Sequence, residues 1–148
     1  MMNNKVSLEI DLKFGPIHDN KFMKVFCSYQ NLVQEIVPNQ QNRAKCQIEI
    51  NLPAVVKLEF LGKDLEKDTL LDRDGNIIKD LHVEITQLSI DGFVIDSLDL
   101  YHKLFLETVQ GDTIQTCYIG FNGTVKINLP KSTVFAQVMN YKNLNNSN

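Results

Sequence analysis

Hydrophobic side chains in this chain recur at every second residue. Val6, Leu8, Ile10, Leu12 and Phe14 are separated by Ser7, Glu9, Asp11 and Lys13, and Ala44, Cys46, Ile48, Ile50 and Leu52 by Lys45, Gln47, Glu49 and Asn51. Successive side chains of an extended strand point to opposite faces, whereas those of a helix return every three or four positions. The rhythm therefore demands strands with one dry and one wet face. Val56, Leu58 and Phe60 continue it beyond Pro53. Leu81, Val83 and Ile85 begin another strand, whose apolar parity then shifts to Leu88 and Ile90. An inserted bulge residue near Thr86 or Gln87 accounts for that shift. Further strands are expected at Phe22 to Tyr29, Leu98 to Thr108, Ile114 to Ile119 and Thr124 to Leu129, roughly nine in all.

The segments between these runs, "FGPIHDN", "PNQQN", "DRDGN", "IDGF", "QGDT" and "FNGT", carry the Gly, Asn and Asp that tight turns require, and are read as hairpin connections. Fifteen Asn residues and no Trp fit the same picture of turns and polar strand faces. Many antiparallel strands with one apolar face each must stack as two sheets or close on themselves. The fold class is therefore all-β, an antiparallel β-sandwich of jelly-roll-like form. "PKSTVFAQVMNY" departs from the rule: Val134, Val138 and Tyr141 have helical spacing, while Phe135, Gln137 and Met139 alternate, so a short C-terminal helix and a strand are both open. With 148 residues and no internal repeat or linker, the expectation is one domain over 1–148, with short polar arms at 1–4 and 142–148.

Charge and cysteine content narrow the function classes. A net charge of −3 and a pI near 5.6, with Lys and Glu interleaved, leave no electrostatic footprint for nucleic acid. No run approaches the roughly 18–20 apolar residues of a membrane span, and "MMNNKVSLEIDLKF" lacks the apolar core of a signal peptide. A chain made in a cytoplasm and not inserted into a membrane is expected. Cys27, Cys46 and Cys117 are odd in number and widely spaced, which suggests buried free thiols rather than a disulfide framework or a zinc site.

"LLDRDGNIIKD" places Asp72, Asp74 and Asn76 at alternate positions, as a calcium loop begins. Ile77 then stands where that loop needs Gly, and Val83 where it needs Glu, so Asp74-Gly75 reads at least as well as a hairpin tip. "IDGFVIDSLD" supplies Asp91, Asp96 and Asp99, which could join Asp72 or Asp74 around Ca²⁺ if loops gather at one end, or could simply be solvated loop acids. "YIGFNGT" sets Tyr118 and Phe121 around Gly120 and Asn122, the aromatic and amide mixture that stacks on sugars; equally, Phe121 plugs the core and Asn122-Gly123 makes a hairpin. His18, His82 and His102 lie in no mechanistic motif, with His82 on the wet face of its strand, and no phosphate loop is present. The chain is not expected to be an enzyme.

"LHVEITQLSIDGFVID", followed by "CYIGFNGTVKINLP", resembles small β-sandwich proteins of marine tailed phages, some similar in fold to calcium-dependent carbohydrate-binding modules. The resemblance covers about residues 55–140 and rests on strand-and-turn patterns. It implies a non-catalytic virion component packed on a capsid or tail, acting through contacts with other protein chains in a homo-oligomer or lattice. The alternative it implies is a calcium-assisted module for surface glycans. Without Trp, the stacking candidates are then Tyr101, Tyr118, Phe121 and Phe93.

Overall fold

The computed structural model describes residues 5–17, 21–96 and 103–129. In chain order its strands are β1 (Lys5–Gly15), β2 (Lys24–Tyr29), β3 (Leu32–Ile36), β4 (Arg43–Asn51), β5 (Ala54–Leu61), β6 (Thr69–Leu71), β7 (Ile77–Asp80), β8 (His82–Ile90), β9 (Phe93–Asp96), β10 (Phe105–Thr108), β11 (Thr113–Gln115), β12 (Tyr118–Ile119) and β13 (Gly123–Leu129). All pairings are antiparallel, and no helix occurs among the described residues. One sheet runs β12-β8-β1-β4, with β9 also on β8; the other runs β11-β10-β13-β5-β2-β3. β6 and β7 form a separate hairpin. The protein is an antiparallel β-sandwich. The expected C-terminal helix or strand, the arms at 1–4 and 142–148, and positions 98–102 lie outside the described residues.

Alternation does what the sequence requires of it. Leu8, Ile10, Leu12 and Phe14 of β1 are buried, as are Val56, Leu58 and Phe60 of β5 in the opposite sheet, and one buried cluster joins them. Fully burying such a side chain stabilises the fold by about 1.5–3 kcal/mol before entropy is counted. The bulge lies where the parity shift requires it: Asp11 pairs with Gln87 and Leu12 with Ile85, so Thr86 is the extra residue. Its hydroxyl donates to the Asp11 carbonyl at 3.2 Å.

The turn segments divide into two kinds. "DRDGN" joins β6 to β7, "IDGF" joins β8 to β9 and "QGDT" joins β10 to β11, each within one sheet. Asp91 and Gly92 both have positive φ, 48° and 85°, as a two-residue hairpin turn demands. The expectation fails for "FGPIHDN", "PNQQN" and "FNGT", which carry the chain from one sheet to the other. Turn residues permit a reversal of direction but say nothing of which sheet receives the next strand. β3 also escaped the periodicity, because Leu32, Val33, Gln34 and Glu35 of this edge strand are all exposed.

Candidate functional site

β5 ends at Gly62, whose φ of 91° bends the chain so that Lys63 turns inward beneath the β6–β7 hairpin. The following turn is held by Asp68, which is buried and accepts from the Asp64 backbone N–H at 2.7 Å and from the Lys21 ammonium at 2.6 Å. The hairpin then rises as one wall of a cleft of about 780 Å³, lined on that side by Leu65, Glu66, Thr69, Leu71 and Ile77. The opposite wall is Leu106 of β10, Ile114 of β11, and Thr116, Tyr118, Gly120 and Phe121. Lys63 and Asp80 also line the cleft.

Those two form a buried ion pair, with side chains 2% and 12% exposed. The Lys63 ammonium donates to the Asp80 carboxylate and, at 2.6 Å, to the Gly120 carbonyl. It also lies 5.8 Å from the centroid of the Phe121 ring, within cation–π range. Asp80 accepts further from the Thr69 hydroxyl at 2.7 Å and the Tyr118 hydroxyl at 2.9 Å. Burial by itself would raise the Asp80 carboxyl, but the hydrogen bonds from Lys63, Thr69 and Tyr118, with the charge of Lys63, hold it below the ordinary carboxylate value. The Tyr118 phenol is pushed up, first by burial and then by the carboxylate it donates to.

Tyr118 is fixed from its other side by His82, whose ring stacks on it at 4.3 Å between centroids. His82 is half-buried rather than out on a wet face, because Gly15 leaves room for its ring: a Cβ there would stand 2.0 Å from His82 Cε1. The close approach of the Tyr118 ring and of Asp80 likewise depends on Gly120, where a Cβ would come within 3.1 and 3.2 Å of them.

Of the residues expected to bind a ligand, Tyr118 and Phe121 meet in this cleft, 42% and 40% exposed. Asn122 is not on its surface. Its amide accepts from the Lys63 backbone N–H at 3.0 Å and donates to the Lys63 carbonyl at 2.8 Å, so it ties the sheet crossover to the residue after β5. Phe93, on β9, packs partly buried against the core and does not line the cleft. Tyr101 lies outside the described residues. Lys63, Asp80 and Thr69 went unnoticed in the sequence, since nothing in their spacing marks residues that meet only after folding.

Among the described acidic candidates, Asp72 and Asp91 are engaged by separate partners. Asp72 Oδ1 accepts from the backbone N–H groups of Asp74 and Asn76, each at 2.9 Å, and Oδ2 lies 3.4 Å from the Asn76 amide. These bonds lower the Asp72 carboxyl, that from Asn76 most, and make the segment a self-contained turn. Asp91 is held elsewhere, accepting from the Ser7 backbone N–H at 2.7 Å. Among the described residues no group of three or more His, Cys, Asp or Glu is placed to hold a metal ion. The side chain of Asp96 and all of Asp99, His18 and His102 fall outside the described set. Replacing Asp72 by Ala is expected to lower the melting temperature equally in calcium and in chelator, checked by paired thermal melts. A loss seen only with calcium present would overturn this reading of the turn.

No family model and no curated protein matches this chain. Among solved structures the chain is similar to the selenomethionine form of vCBM60, described in connection with circular permutation as an evolutionary link between two families of calcium-dependent carbohydrate-binding modules. The TM-score is 0.52 at 9% identity, over 83% of this chain and 90% of that one. A structure of vCBM60 in complex with galactobiose matches with a TM-score of 0.48 at 10% identity, over 82% of this chain and 97% of the other. At such identity the first likeness establishes a shared β-sandwich fold.

Proposed function

We propose that this chain is a non-catalytic carbohydrate-binding module whose cleft between the β6–β7 hairpin and residues 116–121 takes an uncharged glycan. The observation that carries the reading is the convergence of two half-exposed rings, Tyr118 and Phe121, on one cleft with a fixed polar floor. Sugar rings offer an apolar C–H face for stacking and hydroxyls for polar contacts, and binding clefts are built the same way, apolar walls with a few placed polar groups. Lys63 and Asp80 neutralise each other, so the floor presents dipoles rather than a net charge. The fold shared with a carbohydrate-binding module supports this reading over an enzyme or a purely structural part. The reading assigns calcium no role in the cleft: among the described residues its lining carries no group of three or more His, Cys, Asp or Glu.

Glycan-array screening followed by calorimetry tests the proposal. Tyr118→Ala and Phe121→Ala are each expected to weaken the selected oligosaccharide about tenfold or more, the size of a well-packed aromatic contact, with unchanged circular dichroism. Full affinity in both variants would sink it. The expected role as a virion-associated protein has one feature in its favour, the strand β3 with Leu32 and Val33 exposed, on whose outer edge no strand pairs among the described residues. Co-purification at fixed stoichiometry with a larger particle would favour that reading.

A further inference from the structure

We propose that Cys27 and Cys46 are a latent disulfide that, when closed, clamps the two sheets of the sandwich together at their β2 and β4 side. Cys27 lies on β2 of the six-stranded sheet and Cys46 on β4 of the five-stranded one. Both point into the core, 2% and 0% exposed, and face each other across the gap between sheets closely enough to perturb one another. A second contact fixes the alignment. Gln34, the cross-strand partner of Cys27 on β3, sets its amide oxygen 4.0 Å from Cys46 Sγ. A third spans the same two strands: Tyr29 of β2 accepts the Asn51 backbone N–H of β4 at 2.9 Å.

Cys117 is out of reach of Cys46. It sits just before β12, and β8 and β1 stand between β12 and β4 in the sheet. At roughly 4.8 Å per strand, that separation exceeds the roughly 7 Å limit on Cα atoms that a disulfide can join. Burial holds the Cys117 thiol up at about 11, which makes it a poor nucleophile as well. Cys46 stands on β4, the edge strand of its sheet, whereas Cys27 stands on β2, flanked by β3 and β5. Cys46 is thus the attacking sulfur.

The oxidant is a small-molecule disulfide such as oxidised glutathione. Cys46 thiolate attacks one of its sulfurs, forming a mixed disulfide and expelling glutathione thiolate. Cys27 then attacks the Cys46 sulfur, closing the bridge and releasing the second glutathione. Two electrons and two thiol protons leave the protein and appear as two reduced glutathione molecules. Because both sulfurs are buried, exchange takes place as the chain folds or when the edge strand β3 lifts from β2.

The test is refolding of the full chain in excess oxidised glutathione, alkylation of remaining thiols, and unreduced tryptic mapping. Peptide 25–43 is expected joined to peptide 46–57, with Cys117 in peptide 104–126 alkylated. The oxidised monomer is expected to melt about 6–12 °C above the reduced one, from the loop-closure effect on the unfolded chain. Cys27→Ala and Cys46→Ala should each abolish that rise. Cys117→Ala keeps just the two proposed partners, so its thiol count after oxidation decides the matter even if another variant folds poorly. Two free thiols in that variant, or a bridge formed only with a lowered melting temperature, would overturn the proposal.

Discussion

Replacing Lys63 by Met is expected to cost about 3–5 kcal/mol of folding stability, measured by urea denaturation at neutral pH, because it strands the Asp80 carboxylate without its counter-charge in a buried site. The ion pair is not itself a large source of stability, since desolvating two charges offsets most of their attraction. The penalty arises from removing one partner. Lys63→Met combined with Asp80→Asn should therefore cost clearly less than the sum of the two single changes. Additive losses would show that the two side chains are not coupled.

Acidification should narrow the difference. The folded Asp80 carboxyl lies below its ordinary value, so in the native protein its contribution is fully present above the unfolded carboxylate pKa of about 4 and is lost as pH falls through the lower, folded value. In the Lys63→Met variant the carboxyl titrates at higher pH, since its main charge-assisted donor is gone. The gap in stability between variant and wild type should shrink from pH 7 toward pH 3. A gap independent of pH would assign the loss to packing of the lysine stem rather than to charge.

The second large effect is expected at Gly123. A Cβ at this position would stand 2.3 Å from the Glu107 carbonyl oxygen and 2.9 Å from Thr108 Cα, both main-chain atoms of β10. No rotamer change can relieve that clash; β10 must move off β13, breaking the register that pairs Leu106 with Val125 and Thr108 with Gly123. Gly123→Ala should cost about 3 kcal/mol, the upper range for overpacking, and lower the melting temperature by about 6–12 °C. Since Leu106 and Ile114 stand on the displaced strands and line the cleft, glycan affinity should fall with it. Gly111→Ala provides the contrast. That residue has φ near 100° but nothing within 4 Å of a Cβ, so backbone strain alone acts there, about 1–3 kcal/mol, with the cleft unmoved. A loss of affinity at Gly111→Ala equal to that at Gly123→Ala would contradict this account.

The same glycine shows how far local chemistry reaches. Asn122-Gly123 looks like a hairpin dipeptide, and Asp74-Gly75 and Asp91-Gly92 are indeed hairpin tips. Gly123, however, is needed for the close approach of β10, and Asn122 for its two bonds to the main chain of Lys63. The dipeptide is identical in type, but the selection acts on neighbours about 15 and 59 residues away in sequence. Similarly, Asp72, Asp74 and Asn76 have a calcium loop's spacing, yet their oxygens and N–H groups satisfy one another within the turn. Spacing alone did not distinguish a cation from a main-chain amide as the partner.

What the amino-acid order determined by itself was everything that depends on neighbours along the chain. The two-residue period set the strands and their dry faces, its parity shift placed the bulge at Thr86, and Asp-Gly pairs marked two hairpins, because each is a property of a few consecutive residues. Only the tertiary structure decided which sheet each strand joins, since an alternating strand buries its apolar face equally well in either. It alone brought Lys63, Asp80, Gly120 and Tyr118 into one buried network beneath a cleft, and set Cys27 against Cys46. Those contacts span separations along the chain at which no local pattern survives, and closing two sheets over a shared core is what creates them.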